Sequence, residues 1–306
     1  MIVGIPHLRA ALGVACLLVG GLHAAAYAAE ERFEHGAHQG RAYRLYVPAQ
    51  PAAKKPLVVG LHGCAQTPED FALGTRLNRA AGRRGVRVLY PAQGPFDSPT
   101  RCWNWFLPAS QTARGGEAAE IVTLVREIQR AERVDDRRVV VLGLSAGAYM
   151  GVNLACTAPD VVVGVGLVAG GPYRCAGTWL GALTCMRGER LDGVAAAASC
   201  AATMGKPATI RASLWHGDGD SVVSPANFVA LTTMFVKLDG LAAGVTEPVR
   251  GAVRTVFRAG DGRPVVETWL VPGMGHAWSG GDPRGTHTYP AGPDATEDML
   301  RFLVDE

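Results

Sequence analysis

Apolar residues along the chain gather into two alternating kinds of segment. Short continuous apolar runs at 57–61, 86–90, 138–142, 161–168, 213–216 and 265–271 have the pattern of strands buried on both faces. A short alternating strand is predicted at 43–47, and a Pro/Ala/Lys linker follows it at 48–56. Helical patterns lie between these runs. In 118–131, Ile121, Leu124, Val125 and Ile128 recur at helical spacing with charges between them. A second helix is predicted at 146–156, and a closing amphipathic helix at 296–304. Strands alternating with helices predict an α/β fold with a mostly parallel sheet and helices on both faces. The stretch 170–206 breaks the alternation. It holds three cysteines and an Ala-rich segment, 194–202, and is expected to be an insertion or cap over the sheet. No internal repeat or low-complexity linker is visible. Residues 29–306 are therefore expected to form one domain.

Composition narrows the picture. The 306 residues are 48% apolar and 19% charged, with a formal charge of +3. That is a globular composition, and without a basic run it points away from nucleic acid. Residues 1–28 read as a secretory signal: a positive start through Arg9, an apolar run at 10–21, and the A-x-A pattern Ala26-Tyr27-Ala28. The run is too short and too rich in Gly and Ala for a membrane span. The mature chain is expected to be secreted, periplasmic or extracellular, with no membrane partner. Cys16 would leave with the signal. Cys64, Cys102, Cys156, Cys175, Cys185 and Cys200 remain, an even number that fits disulfides in an exported protein. No Cys-x-x-Cys pair is present and the histidines are scattered, so neither a metal nor a cofactor is expected.

The chemistry centres on Gly143-Leu144-Ser145-Ala146-Gly147, a G-x-S-x-G motif between a predicted strand and a predicted helix. That setting fits a sharp turn which exposes a serine nucleophile, with Ala146 N–H at the helix start facing an oxyanion. The histidine base and the acid that orients it then follow in chain order. His216-Gly217-Asp218-Gly219-Asp220 and Gly275-His276 each follow a strand, where open α/β sheets place their sites. A tight turn aims Asp220 at the histidine, with Asp218 as the rival. His35, His38, His62 and His287 are weaker candidates for the base. Leu61-His62-Gly63-Cys64 closes the first buried strand, so the N–H of Cys64 is the expected second oxyanion donor.

Six segments taken together resemble the polyhydroxybutyrate depolymerase family of esterases, which has the α/β-hydrolase fold. They are Leu61-His62-Gly63-Cys64-Ala65-Gln66, Arg101-Cys102-Trp103-Asn104-Trp105-Phe106, Gly143-Leu144-Ser145-Ala146-Gly147, Gly171-Pro172-Tyr173, His216-Gly217-Asp218-Gly219-Asp220 and Gly275-His276-Ala277-Trp278-Ser279-Gly280-Gly281. The similarity runs in order from about Tyr43 onward. It implies Ser145 as nucleophile, Asp220 as acid, His276 as base, and Cys64 and Ala146 at the oxyanion hole. It also implies a Cys64–Cys102 disulfide, and with it the pairs Cys175–Cys185 and Cys156–Cys200. Trp103, Trp105 and Trp278 are candidates for lining a substrate groove, since aromatic rings suit an acyl chain or a sugar face. The function expected from the resemblance is a serine esterase on short-chain esters, 3-hydroxybutyrate polyester or oligomers, acting through an acyl-enzyme. The alternative is a feruloyl or acetylxylan esterase with the same triad. Depolymerases that attack solid polymer carry a polymer-binding domain after the catalytic one. This sequence runs to Glu306, so efficient attack on solid polymer is not expected, and soluble oligomers or other short esters fit as well. A serine peptidase fits less well without a propeller or large cap, and an inactive hydrolase would lack a triad member.

Overall fold

The computed structural model describes Met1 and residues 30–52, 55–134 and 138–305. Apart from Met1, the expected signal peptide, with Cys16, lies outside the described residues. In chain order the elements are β1 (Arg32–His38), β2 (Arg41–Val47), β3 (Leu57–Leu61), α1 (Pro68–Thr75), α2 (Leu77–Gly82), β4 (Val88–Pro91), α3 (Gly116–Ala131), β5 (Val139–Leu144) and α4 (Ala146–Thr157). There follow β6 (Val162–Val168), α5 (Trp179–Met186), α6 (Gly193–Met204), β7 (Arg211–Gly217), α7 (Ala226–Leu238), β8 (Val245–Val249), β9 (Ala252–Arg258) and β10 (Pro264–Val271). The two-residue strands β11 (Trp278–Ser279) and β12 (Thr288–Tyr289) and the helix α8 (Ala295–Leu300) complete them.

Ten strands form one sheet in the order β1-β2-β4-β3-β5-β6-β7-β10-β9-β8. The centre, from β4 through β3, β5, β6 and β7 to β10, is parallel. Antiparallel β1–β2 and β9–β8 flank it. The central strands β3, β5 and β6 are apolar because both of their faces are covered, while β7 and β10 bury Ser213 and Glu267 among their apolar residues. Val139 and Val141 of β5 pack into one core with α3, α4, α6 and α7. Val140, Leu142 and Leu144 face the opposite core with α1, α2 and α8.

Residues 170–206 do not form a lid apart from the layers. Their helices α5 and α6 join the first helical layer, where Ala182, Ala196, Ala197 and Cys200 share a core with Leu154, Leu231 and Phe235. Among the described residues three disulfides are present: Cys156–Cys200 ties α4 to α6, Cys175–Cys185 ties α5 to the loop before it, and Cys64–Cys102 joins the loops after β3 and β4.

Candidate active site

The turn that carries Ser145 is built by close packing. Ser145 stands between β5 and α4 with φ 56° and ψ −120°, a backbone region that L-residues occupy only when the surroundings hold them there. Its N–H donates to Val168 O at 2.9 Å, and its carbonyl accepts from Tyr149 N at 3.0 Å. A methyl group on Gly143 would stand 2.4 Å from Gly147 O, and one on Gly147 would stand 2.1 Å from Leu61 O. Neither position can carry a side chain. Ala146 N–H opens α4 at the positive end of its dipole, beside Ser145.

The turn after β3 is held from several sides. Gln93 N–H donates to His62 Nε2 at 3.1 Å, which puts the ring proton on Nδ1, and that proton goes to Gly63 O at 2.8 Å. Trp103 Nε1–H donates to His62 O at 3.0 Å. Gly63 N–H is taken by Gln66 Oε1 at 2.9 Å, and Ala65 N–H by Thr100 O at 2.8 Å. The Cys64 N–H stands between these two committed donors, and the Cys64–Cys102 disulfide fixes the turn from its side-chain end. Both ring nitrogens of His62 therefore serve the turn.

Burial lowers the His62 pKa from 6.5 to about 4. Between these values the unfolded chain takes up a proton that the folded chain refuses, so stability falls as pH drops through this window. Wild-type protein is expected to lose about 2 kcal/mol through this group between pH 7 and about pH 4.5. His62→Gln should remove that component. Urea titrations of both proteins at the two pH values check it, and equal pH slopes would refute it.

Asp220 and His276 meet at the same edge of the sheet. His276 Nδ1 lies 2.8 Å from Asp220 Oδ2, while Asp220 Oδ1 accepts from Val222 N and Val223 N, each at 2.9 Å. Burial pushes the Asp220 pKa up, but the His276 hydrogen bond and charge and the two backbone N–H groups outweigh it. The carboxyl is held below its ordinary value. The carboxylate fixes His276 with its proton on Nδ1, which leaves Nε2 without a proton. His216, absent from the sequence candidates, braces the acid from beneath. It is buried, its Nε2 lies 2.9 Å from Val223 O and 3.5 Å from Asp220 Oδ2, and burial lowers its pKa. The rival Asp218 faces outward and latches a loop instead, accepting from Gly273 N at 2.7 Å. Register aligns these groups: Leu61, Leu144, Val168, Gly217 and Val271 end neighbouring parallel strands.

The groove-lining tryptophans are a correction. Trp103 and Trp278 are 0% exposed and Trp105 is 6% exposed. Each works as a brace. Trp103 holds the His62 carbonyl, Trp278 Nε1–H donates to Thr296 Oγ1 at 3.0 Å, and Trp105 stacks on Tyr149 with centroids 4.0 Å apart. Aromatic rings near the expected acid and base suited a substrate groove, but tertiary packing encloses all three. The exposed tryptophan is Trp179, 57% exposed at the start of α5, with its ring against Phe106. His35 and His38 lie in the edge strand β1. His287 is placed beside His276, with ring centroids 6.2 Å apart. Among the described residues, no group of three or more His, Cys, Asp or Glu is arranged to hold a metal ion, and no helix is long and apolar enough to cross a membrane.

The same architecture occurs in solved structures. An acetyl xylan esterase from Aspergillus awamori superposes with a TM-score of 0.70 at 23% identity, over 81% of this chain and 93% of that one. In sequence, poly(3-hydroxyalkanoate) depolymerase C of Paucimonas lemoignei is 36% identical over 240 residues, which are 76% of this chain and 57% of that protein. A feruloyl esterase B of Neurospora crassa is 34% identical over 131 residues, 42% of this chain and 44% of that protein. The chain thus spans about half the length of these curated relatives. A family model described as Esterase PHB depolymerase matches residues 41–259. That stretch carries the elbow of Ser145, the turn after β3 and Asp220, and by this match the chain belongs to the Esterase PHB depolymerase family.

Proposed function

We propose that the protein is a secreted serine esterase that cleaves short-chain carboxylic esters, foremost soluble 3-hydroxybutyrate oligomers, through an acyl-enzyme. The observation that carries this reading is the His276–Asp220 pair, set on the strand ends that also hold the strained serine of the elbow. In this reading His276 Nε2 takes the Ser145 proton as Ser145 Oγ attacks the ester carbonyl. The N–H groups of Cys64 and Ala146 hold the oxyanion. His276 then protonates the leaving alcohol, and water repeats the sequence on the acyl-enzyme. The three disulfides support a working place outside the reducing cytoplasm.

A second reading, an esterase of feruloyl or acetyl groups on plant polysaccharide, is favoured by the names of two relatives. One experiment separates the two. Purified mature protein is offered hydroxybutyrate trimer, amorphous polymer, a feruloyl ester and acetylated xylan, with product measured by chromatography. The first reading expects kcat/KM for the trimer to exceed that for the other soluble esters by at least about tenfold. Preference for ferulate or acetate release would reverse the order. No labelling by a fluorophosphonate probe would sink both.

A further inference from the structure

The loop after β11 brings a second imidazole to the site. The strands β11 and β12 pair in parallel, with Trp278 opposite Thr288 and Ser279 opposite Tyr289. His276 lies two residues before one strand and His287 one residue before the other. Parallel pairing therefore puts both histidines at the same end of this ribbon. Their ring centroids are 6.2 Å apart and their planes meet at 79°. The His276 side chain is only 10% exposed, whereas His287 is open to solvent. His287 is thus the outer of the two rings.

The backbone at His287 is held in place. Its φ is 52°, in the left-handed region that a residue with a Cβ rarely adopts. Its carbonyl accepts from Trp278 N–H at 2.7 Å. The preceding residue is anchored to the oxyanion side: Thr286 N–H donates to Asp70 Oδ1 at 3.0 Å, Thr286 Oγ1–H donates to Asp70 Oδ2, and Gln66 Nε2–H donates to Thr286 Oγ1 at 3.1 Å. The same Gln66 accepts from Gly63 in the oxyanion turn. One hydrogen-bonded chain thus runs from that turn to the backbone that presents His287.

We propose that His287 is a specificity-determining residue that binds the alcohol portion of the ester. The inference rests on the esterase reading above. In that reading the base delivers its proton to the leaving oxygen, so the leaving alcohol lies against His276. A polar ring on the solvent side of His276 then meets the atoms beyond the scissile bond. The matching chemistry is an alcohol with its own carbonyl or hydroxyl one to three bonds from the ester oxygen, as in a hydroxyacid oligomer. An imidazole N–H donates to that oxygen. A plain alkyl alcohol has nothing to accept it.

The test compares two butyrate esters, one of 2-butanol and one of methyl 3-hydroxybutanoate, on wild type, His287→Ala and His287→Gln. His287→Ala is expected to lower kcat/KM about tenfold for the hydroxyacid ester and less than twofold for the alkyl ester. His287→Gln, which keeps an N–H donor, should recover most of the loss. Equal losses on both esters, or no loss on either, would overturn the proposal. Ser145→Ala is run alongside: wild-type turnover in that variant would overturn the esterase reading itself, a result distinct from a change in the ratio between esters.

Discussion

Alanine at position 145 is expected to lower kcat for a soluble short-chain ester by about 10⁴-fold or more, with the fold unchanged. The size follows from the role: without the hydroxyl no acyl-enzyme forms, and the remaining oxyanion donors and binding contacts supply only residual rate over water. The fold should survive because the Ser145 contacts that shape the elbow are main-chain bonds, to Val168 O and from Tyr149 N. Alanine keeps both. The thermal midpoint should move by no more than about 2 °C. Progress curves with matched circular dichroism melts check both parts. Turnover within about tenfold of wild type would remove Ser145 from the mechanism.

Asn at position 220 should cost about 10⁴-fold in kcat, by a different route. Asp220 Oδ1 is bound to two backbone N–H groups, of Val222 and Val223. An Asn must keep its carbonyl oxygen there, so its NH₂ faces His276 Nδ1. The ring then carries its proton on Nε2, the atom that has to be empty to receive one from serine. The control is Asp218→Asn. Asp218 only accepts from Gly273 N, which an amide oxygen does equally well, so kcat should stay within about twofold. A larger loss from the Asp218 variant than from the Asp220 variant would reverse the assignment.

How much of this was legible in the sequence depended on burial. The central strands showed because both of their faces are covered, which leaves the uninterrupted apolar runs of β3 and β5. Of the edge strands β2 was legible as the alternating run 43–47, whereas β1 and β8 were missed for the opposite reason. β8 is Val-Thr-Glu-Pro-Val with four of its five residues exposed, and β1 is mostly exposed, so neither carries a buried period. The helix α7 also escaped notice. Its buried Ala230, Leu231, Met234 and Phe235 lie among further apolar residues that blur the helical stripe.

At the site, strand-end motifs were legible because their spacing is a backbone matter: a serine between glycines, and an aspartate two residues beyond another. The supports were not. His216 reads as part of a strand, and its place under Asp220 depends on the turn closing back. Gln66, Asp70 and Thr286 come from segments more than 200 residues apart in sequence. The tryptophans misled for a related reason, since an indole near a site motif in sequence does not reveal which side the packing will enclose.

The two glycines of the elbow set a limit on how this protein can diversify. A single added carbon at Gly147 would collide with the carbonyl of Leu61, so the Ser145 elbow and the turn after β3 are mechanically one part. Drift in either would disturb both. New ester preferences then have to arise on surfaces that can change without moving that part. The exposed start of α5 and the ribbon loop around His287 are such surfaces. Variation that retunes the substrate should collect there, while the elbow stays frozen.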